Sequence, residues 1–281
     1  MGFSRKISLD DCLIAIMLVA FYPVWSYCAN RWIANDEPAG CLPLVFILFL
    51  WGRTIYLWKK PPDQNAASNR LGRVELISIS LLLGVYILTY RHSFMLVRAI
   101  LTVAVLGLAF SRRLKGRTIN VQIFGLLMLS LPTIPTVQFY LGYPLRVIVA
   151  KSAAIIIKSF GYAVSSSGTS ILWGEQYVSV DAPCSGIKML YTGILLILLA
   201  GLYYDFPFKI LCLLGAAGIG AIVFGNICRA SALFFTETGI IPFGTNFLHT
   251  AIGLSVFVWI TTMIFVISQF LERRRKICIT A

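Results

Sequence analysis

Cys184, Arg229 and His249 have the side-chain types and the surroundings to carry out acyl transfer. Cys184 follows an alternating stretch, Val178-Ser179-Val180-Asp181-Ala182-Pro183, and precedes Ser185-Gly186-Ile187-Lys188-Met189-Leu190. Proline before a helix start and small polar residues in its first turn are ordinary helix-entry chemistry. A cysteine there faces unpaired N–H groups and a partial positive charge, which favour the nucleophilic thiolate. Taken alone, it is equally a small filler in an apolar helix. Arg229 lies in Gly225-Asn226-Ile227-Cys228-Arg229-Ala230-Ser231, inside an otherwise apolar run. Arginine at that depth is costly and usually marks a function; the alternative is a structural ion pair, for which Glu237 is the candidate partner. His249 opens the last apolar run in Asn246-Phe247-Leu248-His249-Thr250-Ala251-Ile252-Gly253, whereas the other histidine, His92, sits beside Arg91 in a short turn and needs no function.

Together the three form a coherent set. A thiolate attacks a peptide carbonyl, and an imidazole protonates the leaving amine and then deprotonates the next nucleophile. A guanidinium stabilises the oxyanion or holds the carbonyl, and its charge favours the thiolate.

The elements that position these groups are membrane helices. The 281 residues are 58% hydrophobic and 12% charged, against about 25% charged in soluble domains. About eight runs have the length to span a bilayer, near 11–33, 40–58, 74–90, 94–110, 119–140, 184–204, 209–235 and 247–270. The first is long for a signal peptide and has no convincing cleavage site, so it is kept as a span. Lys and Arg of the connections gather on one side: Arg5 and Lys6; Lys59, Lys60, Arg70 and Arg73; Arg112, Arg113, Lys115 and Arg117; Lys209; and Arg273 to Lys276. By the positive-inside rule both termini face the cytoplasm. The net charge of +13 reflects mostly this asymmetry, and no nucleic-acid motif accompanies it.

Two stretches depart from the pattern. Leu131-Pro132-Thr133-Ile134-Pro135 ends the fifth span with prolines that remove helix N–H groups. Leu145–Phe160 is apolar but carries Arg146, Lys151 and Lys158, which reads as a helix lying in the outer interface with its Lys heads snorkelling, the competing reading being a further span. Gly161–Pro183 is Gly- and Ser-rich and strand-like over Tyr177–Asp181, an extracytoplasmic segment. The fold class is therefore an all-α polytopic membrane protein with an interfacial helix and a short strand-like segment. It is one integral-membrane domain over 1–281, with its motifs in 178–253 and a cytoplasmic basic tail at 271–281. Cys28 and Cys41 read as apolar-helix residues rather than a bridge. No Cys/His spacing suggests a metal, and no nucleotide loop, HExxH or GxSxG is present, so neither cofactor nor metal is expected.

In this topology Cys184, Arg229 and His249 each fall near the outer end of their own span, at one depth. Ala217, Ala221 and Gly225 recur at fourfold spacing and would let the seventh span approach a neighbour closely.

Cys184-Ser185-Gly186-Ile187, Asn226-x-x-Arg229 and His249 ahead of a final span resemble the exosortase/archaeosortase family of membrane transpeptidase-like enzymes. Asp36-Glu37-Pro38 and the proline-bearing end of the fifth span resemble it less specifically. The resemblance implies Cys184 as nucleophile, Arg229 as oxyanion or carbonyl stabiliser and His249 as general acid/base, with Ser185, Gly186 and Asn226 in support. It implies exported cargo proteins with a C-terminal sorting signal: a Pro-Glu-Pro-like motif, a transmembrane helix and a basic cluster. It further implies transfer to an envelope acceptor, a membrane lipid or glycolipid among the candidates, at the outer face of the cell inner membrane. Gly161–Pro183, with the outer ends of the first two spans, would form the cargo cleft. A transporter, or a non-catalytic scaffold for envelope polymer assembly, remains the competing class; neither a clear repeat between halves nor paired broken helices supports the transporter.

The basic excess around residues 59–73 generates a direct expectation. A cysteine placed at Ala66 resists an impermeant maleimide applied to intact cells and reacts after permeabilisation; strong labelling from outside reverses the orientation.

Overall fold

The computed structural model describes residues 8–35, 37–57, 70–179, 186–240 and 245–280. These form α1 (Leu9–Ala20), α2 (Tyr22–Ala34), a 3-10 turn (Pro38–Cys41), α3 (Leu42–Leu57), α4 (Arg73–Thr89), α5 (Met95–Lys115), α6 (Val121–Leu129), α7 (Ile134–Ser159), β1 (Val164–Ser167), β2 (Ser170–Trp173), β3 (Gln176–Ser179), α8 (Ile187–Tyr203), α9 (Phe208–Glu237) and α10 (Thr245–Thr280). The chain divides into two compact units, Met1–Pro132 and Thr133–Ala281.

In the first unit, helix ends are set by local chemistry. The Ser8 hydroxyl accepts from the Asp11 amide to cap α1, and Asn120 Oδ1 accepts from the Ile123 amide to cap α6. Pro23 enters the first turn of α2, and α1 and α2 meet at a 57° bend. Gly116, at φ +64°, closes α5 by donating to the Arg112 carbonyl. One buried carboxylate ties three elements together. Asp11 accepts both Arg113 Nε (2.8 Å) and Nη2 (2.9 Å), as well as Trp51 Nε1 (2.9 Å) and the Ser8 hydroxyl (2.6 Å). Asp11 and Arg113 are 3% and 4% exposed, so this bidentate pair holds α1 to α5 without water. Beside it, Arg112 bonds the Arg70 and Gly116 carbonyls and pairs with Glu75, which also accepts from Thr118. Arg112 and Arg113 thus belong to the last turn of α5 as partnered charges, rather than to a solvated connection.

The second unit starts at a corrected boundary. The expected span over 119–140 is two helices: α6 stops at Leu129, and α7 begins at Ile134 with Pro135 in its first turn. Pro135 starts a helix because a first-turn N–H has no partner to lose. Residues 145–159 are not a separate interfacial helix. They are the second half of α7, which continues through Pro144 with Arg146 Nε donating to the Gly142 carbonyl. The strand-like segment is a meander, β1-β2-β3, fully antiparallel and closed by two-residue turns. Gly168 and Gly174, both at φ +58°, open those turns, Gly168-Thr169 and Gly174-Glu175, where a positive φ is required. The sheet's buried face, Val164 and Ile171, packs on Ala153, Ala154 and Ile157 of α7 and on Ala230 and Phe234 of α9.

α9 is central to this unit and packs against α7, α8 and α10. Its buried stripe includes Leu214, Gly218, Ile222, Gly225, Asn226 and Ala230. A Cβ at Gly218 would lie 2.7 Å from Ile197 of α8, and one at Gly225 would lie 3.1 Å from Val256 and Ile260 of α10. The expected small-residue face is thus right at Gly225 but wrong at Ala217, which is exposed: the contact row runs through 218, 222 and 226 instead. At the other end of α10, Arg275 Nη1 donates to the Asp205 carbonyl in the α8–α9 turn and the guanidinium pairs with Glu272.

Among the described residues, four helices are long and apolar enough to cross a membrane, Met95–Lys115, Ile134–Ser159, Phe208–Glu237 and Leu248–Ile277, and the bent pair α1–α2 gives a fifth. Apolar segments at Ala39–Ile55 and Ile187–Tyr203 are shorter, so the expected count of about eight is not reached on length and composition. The protein is a mostly helical membrane protein with one small sheet.

The Asp11–Arg113 pair generates a stability prediction. Asp11→Ala strands a buried guanidinium and costs about 3–5 kcal/mol. Asp11→Leu combined with Arg113→Met recovers most of that loss. Thermal aggregation midpoints in detergent measure both; equal destabilisation by the single and double variants contradicts the pairing.

Candidate functional site

Two polar side chains of α9 lie against neighbouring backbones, Asn226 at the entry to α8 and Arg229 on α10. Asn226 and Arg229 are three residues apart on α9, so they share a face about one turn apart. Asn226 is 3% exposed. Its amide lies against the backbone of Gly186: a Cβ there would fall 2.7 Å from Nδ2, 2.9 Å from Cγ and 3.3 Å from Oδ1. Gly186 itself stands at φ +78°, immediately before α8. Both the dihedral and the close amide require glycine. Its amide contact fixes where the chain enters α8 relative to α9.

Arg229 lies at the opposite neighbour. A Cβ on Gly253 of α10 would be 3.6 Å from Nη2 and 3.7 Å from both Cζ and Nε. Three near-equal distances mean that the guanidinium plane lies flat across the Gly253 backbone. Its Nε is buried with no hydrogen-bond partner. Among the described residues no ion pair joins Arg229 to Glu237. His249 is four residues before Gly253 on α10 and therefore on the same helix face, about 6 Å along the axis.

Cys184 and Ser185 lie outside the described residues. His92 is exposed in the α4–α5 turn, as its sequence context suggested. Cys28 and Cys41 are not joined in a disulfide. Among the described residues no cluster of His, Cys, Asp and Glu is arranged to hold a metal. Gly253 is the residue that sequence reading passed over. Its signal was present, a residue without a side chain one turn from His249 on the same face. A small open apolar cleft adjoins Asn226 between Leu145 and Val149 of α7, Gly186 and Leu190 of α8, and Ile222 and Val223 of α9.

What the described residues offer is a guanidinium laid against α10 at Gly253, one turn along that helix from His249. A family model described as Transmembrane exosortase (Exosortase_EpsH) matches residues 13–266. No curated protein and no solved structure matches this chain.

Gly253 gives this geometry a steric test. Gly253→Ala adds a methyl group at ordinary contact distance and leaves the protein folded and functional. Gly253→Leu displaces the guanidinium and behaves like loss of Arg229, read as loss of cargo processing at matched protein levels. Wild-type processing by Gly253→Leu contradicts the flat packing.

Proposed function

The chain belongs to the transmembrane exosortase family, and from that premise we propose that it is a membrane cysteine peptidase and transpeptidase acting on the C-terminal sorting signals of exported proteins. The observation that supports this best is the α9–α10 seam, where the Arg229 guanidinium crosses Gly253 one turn from His249. Asn226, one turn away, packs on Gly186 two residues from Cys184.

In the proposed reaction the Cys184 thiolate adds to the carbonyl carbon of the scissile peptide. The carbonyl π electrons move to oxygen, and the Arg229 N–H groups stabilise the oxyanion. The intermediate collapses with cleavage of the C–N bond, and protonated His249 donates to the departing amine. The cargo carbonyl is then held as a thioester on Cys184, and the released piece carries the transmembrane helix and basic tail. An acceptor amine or hydroxyl on an envelope lipid or glycolipid, or water, loses its proton to His249 as it attacks the thioester. Collapse of that second intermediate expels the thiolate and regenerates the site. Guanidinium suits the oxyanion role because it keeps its charge when dehydrated and presents several donors in one plane. The orientation that accompanies this reading has both termini in the cytoplasm of the inner membrane and the reaction at the extracytoplasmic face.

Substitution tests the reading. Cys184→Ala and Arg229→Ala abolish cargo processing while the protein still accumulates in the membrane. His249→Ala lowers the rate by about 10²–10⁴, the range for a positioned acid–base group. Arg229→Lys also fails, whereas Cys212→Ala and His92→Ala process normally. Immunoblots of a cargo carrying a Pro-Glu-Pro-like signal give the readout, and normal processing by Cys184→Ala removes the cysteine-nucleophile reading.

A further inference from the structure

The small sheet ends in an open backbone edge that leads directly to Cys184. In the strand order β1-β2-β3, β3 is an outer strand, and among the described residues no strand pairs with its far side. The other outer strand, β1, follows α7 directly and packs over it. The sheet register identifies which β3 groups are open. Trp173 and Gln176 flank the two-residue turn Gly174-Glu175. Across such a turn these flanking residues bond each other. In an antiparallel ladder bonded and non-bonded pairs alternate. Ile171↔Val178 is therefore bonded, while Leu172↔Tyr177 and Ser170↔Ser179 are not. The N–H and C=O groups of Tyr177 and Ser179 point away from β2.

We propose that the extended cargo segment flanking the scissile bond adds to this edge as a fourth strand, bonding the Tyr177 and Ser179 backbones. The proposal rests on the transpeptidase reading and specifies how the substrate is held. Three features favour a peptide as the occupant. First, alternating outward donors and acceptors match an extended polypeptide, and a lipid chain has no such groups. Second, β3 is solvent-facing, with Tyr177 74% exposed, and its Gln-Tyr-Val-Ser sequence has neither the proline nor the lysine that guards ordinary sheet edges. Third, the placement suits delivery. Ser179 is five residues before Cys184, at most about 18 Å of chain. The sheet rests on Ala230 and Phe234, directly after Arg229 on α9. Backbone pairing at this edge would secure the cargo main chain and leave recognition of the motif to side chains.

Proline substitution separates this role from a structural one. Edge strands tolerate proline where the N–H points outward, so Tyr177→Pro and Ser179→Pro keep the sheet but remove an outward donor. Each lowers cargo processing by about tenfold, the effect of losing roughly one hydrogen bond's worth of binding. Tyr177→Ala, which keeps the N–H, loses less processing than Tyr177→Pro. A second measurement does not depend on how the proline variants fold: p-benzoylphenylalanine at Tyr177, in a Cys184→Ala background, crosslinks on irradiation to cargo residues flanking the cleavage site. Normal processing by both proline variants overturns strand addition, as does crosslinking only to lipid or to a second copy of this chain. If Cys184→Ala itself processes cargo, the transpeptidase reading falls and takes this proposal with it; the proline and crosslinking results alone can remove the pairing while leaving that reading intact.

Discussion

A polar side chain on a buried helix face needs room in the backbone opposite, and α9 obtains it twice. Asn226 lies on Gly186 at the entry to α8, and Arg229 lies on Gly253 of α10. At Gly186 only a glycine leaves room for the amide, whereas at Gly253 a methyl group would still fit against the guanidinium but nothing larger would. The two contacts sit one helical turn apart on α9, so a single rigid element sets the spacing between the entry to α8 and the histidine-bearing helix α10. Gly225 supports this by bringing α10 close at Val256 and Ile260. The sheet adds a third constraint through Ala230 and Phe234 of the same helix. The geometry of the candidate site thus depends on one helix and the backbones that it touches.

The two units handle buried charge differently. In the first, Arg113 is fully engaged by Asp11, with Trp51 and Ser8 on the remaining carboxylate lone pairs. That arrangement offsets desolvation and makes the pair a structural clasp between α1 and α5. In the second, Arg229 has a buried Nε without a hydrogen-bond partner and no ion pair among the described residues. An arginine held in apolar surroundings with donor capacity in reserve suits a group that waits for charge to develop on a substrate.

Much of this was legible in the sequence, because its signals were chemical. A cysteine after a proline at a helix entry, an arginine in an apolar run and a histidine at a span start name themselves by type. The non-helical stretch before Cys184 was legible from its glycines, although Gly168 and Gly174 each open a hairpin and only the last strand was anticipated. What failed was inferred from hydropathy. The Leu131–Pro135 stretch is apolar, so an average over residues 119–140 hides the break between α6 and α7, and Pro135 starts a helix where it was expected to end one. Arg112 and Arg113 read as loop charges because their partners, Glu75 and Asp11, are distant in sequence. Ala217 was chosen by fourfold spacing of small residues, but the row that packing selects runs through Gly218, Ile222 and Asn226, whose mixed sizes give no such signal. Gly253 went unnoticed because a glycine's role here depends on which side chain crosses it.

The most direct test of the account is to trap the acyl-enzyme. With His249→Ala slowing its turnover, purified protein incubated with tagged cargo and denatured in acid should carry a cargo fragment on the Cys184 peptide in mass spectrometry. The bond should be cleaved by neutral hydroxylamine and absent in Cys184→Ser. Cargo cleavage with no adduct on Cys184, or an adduct that persists in Cys184→Ala, contradicts the mechanism.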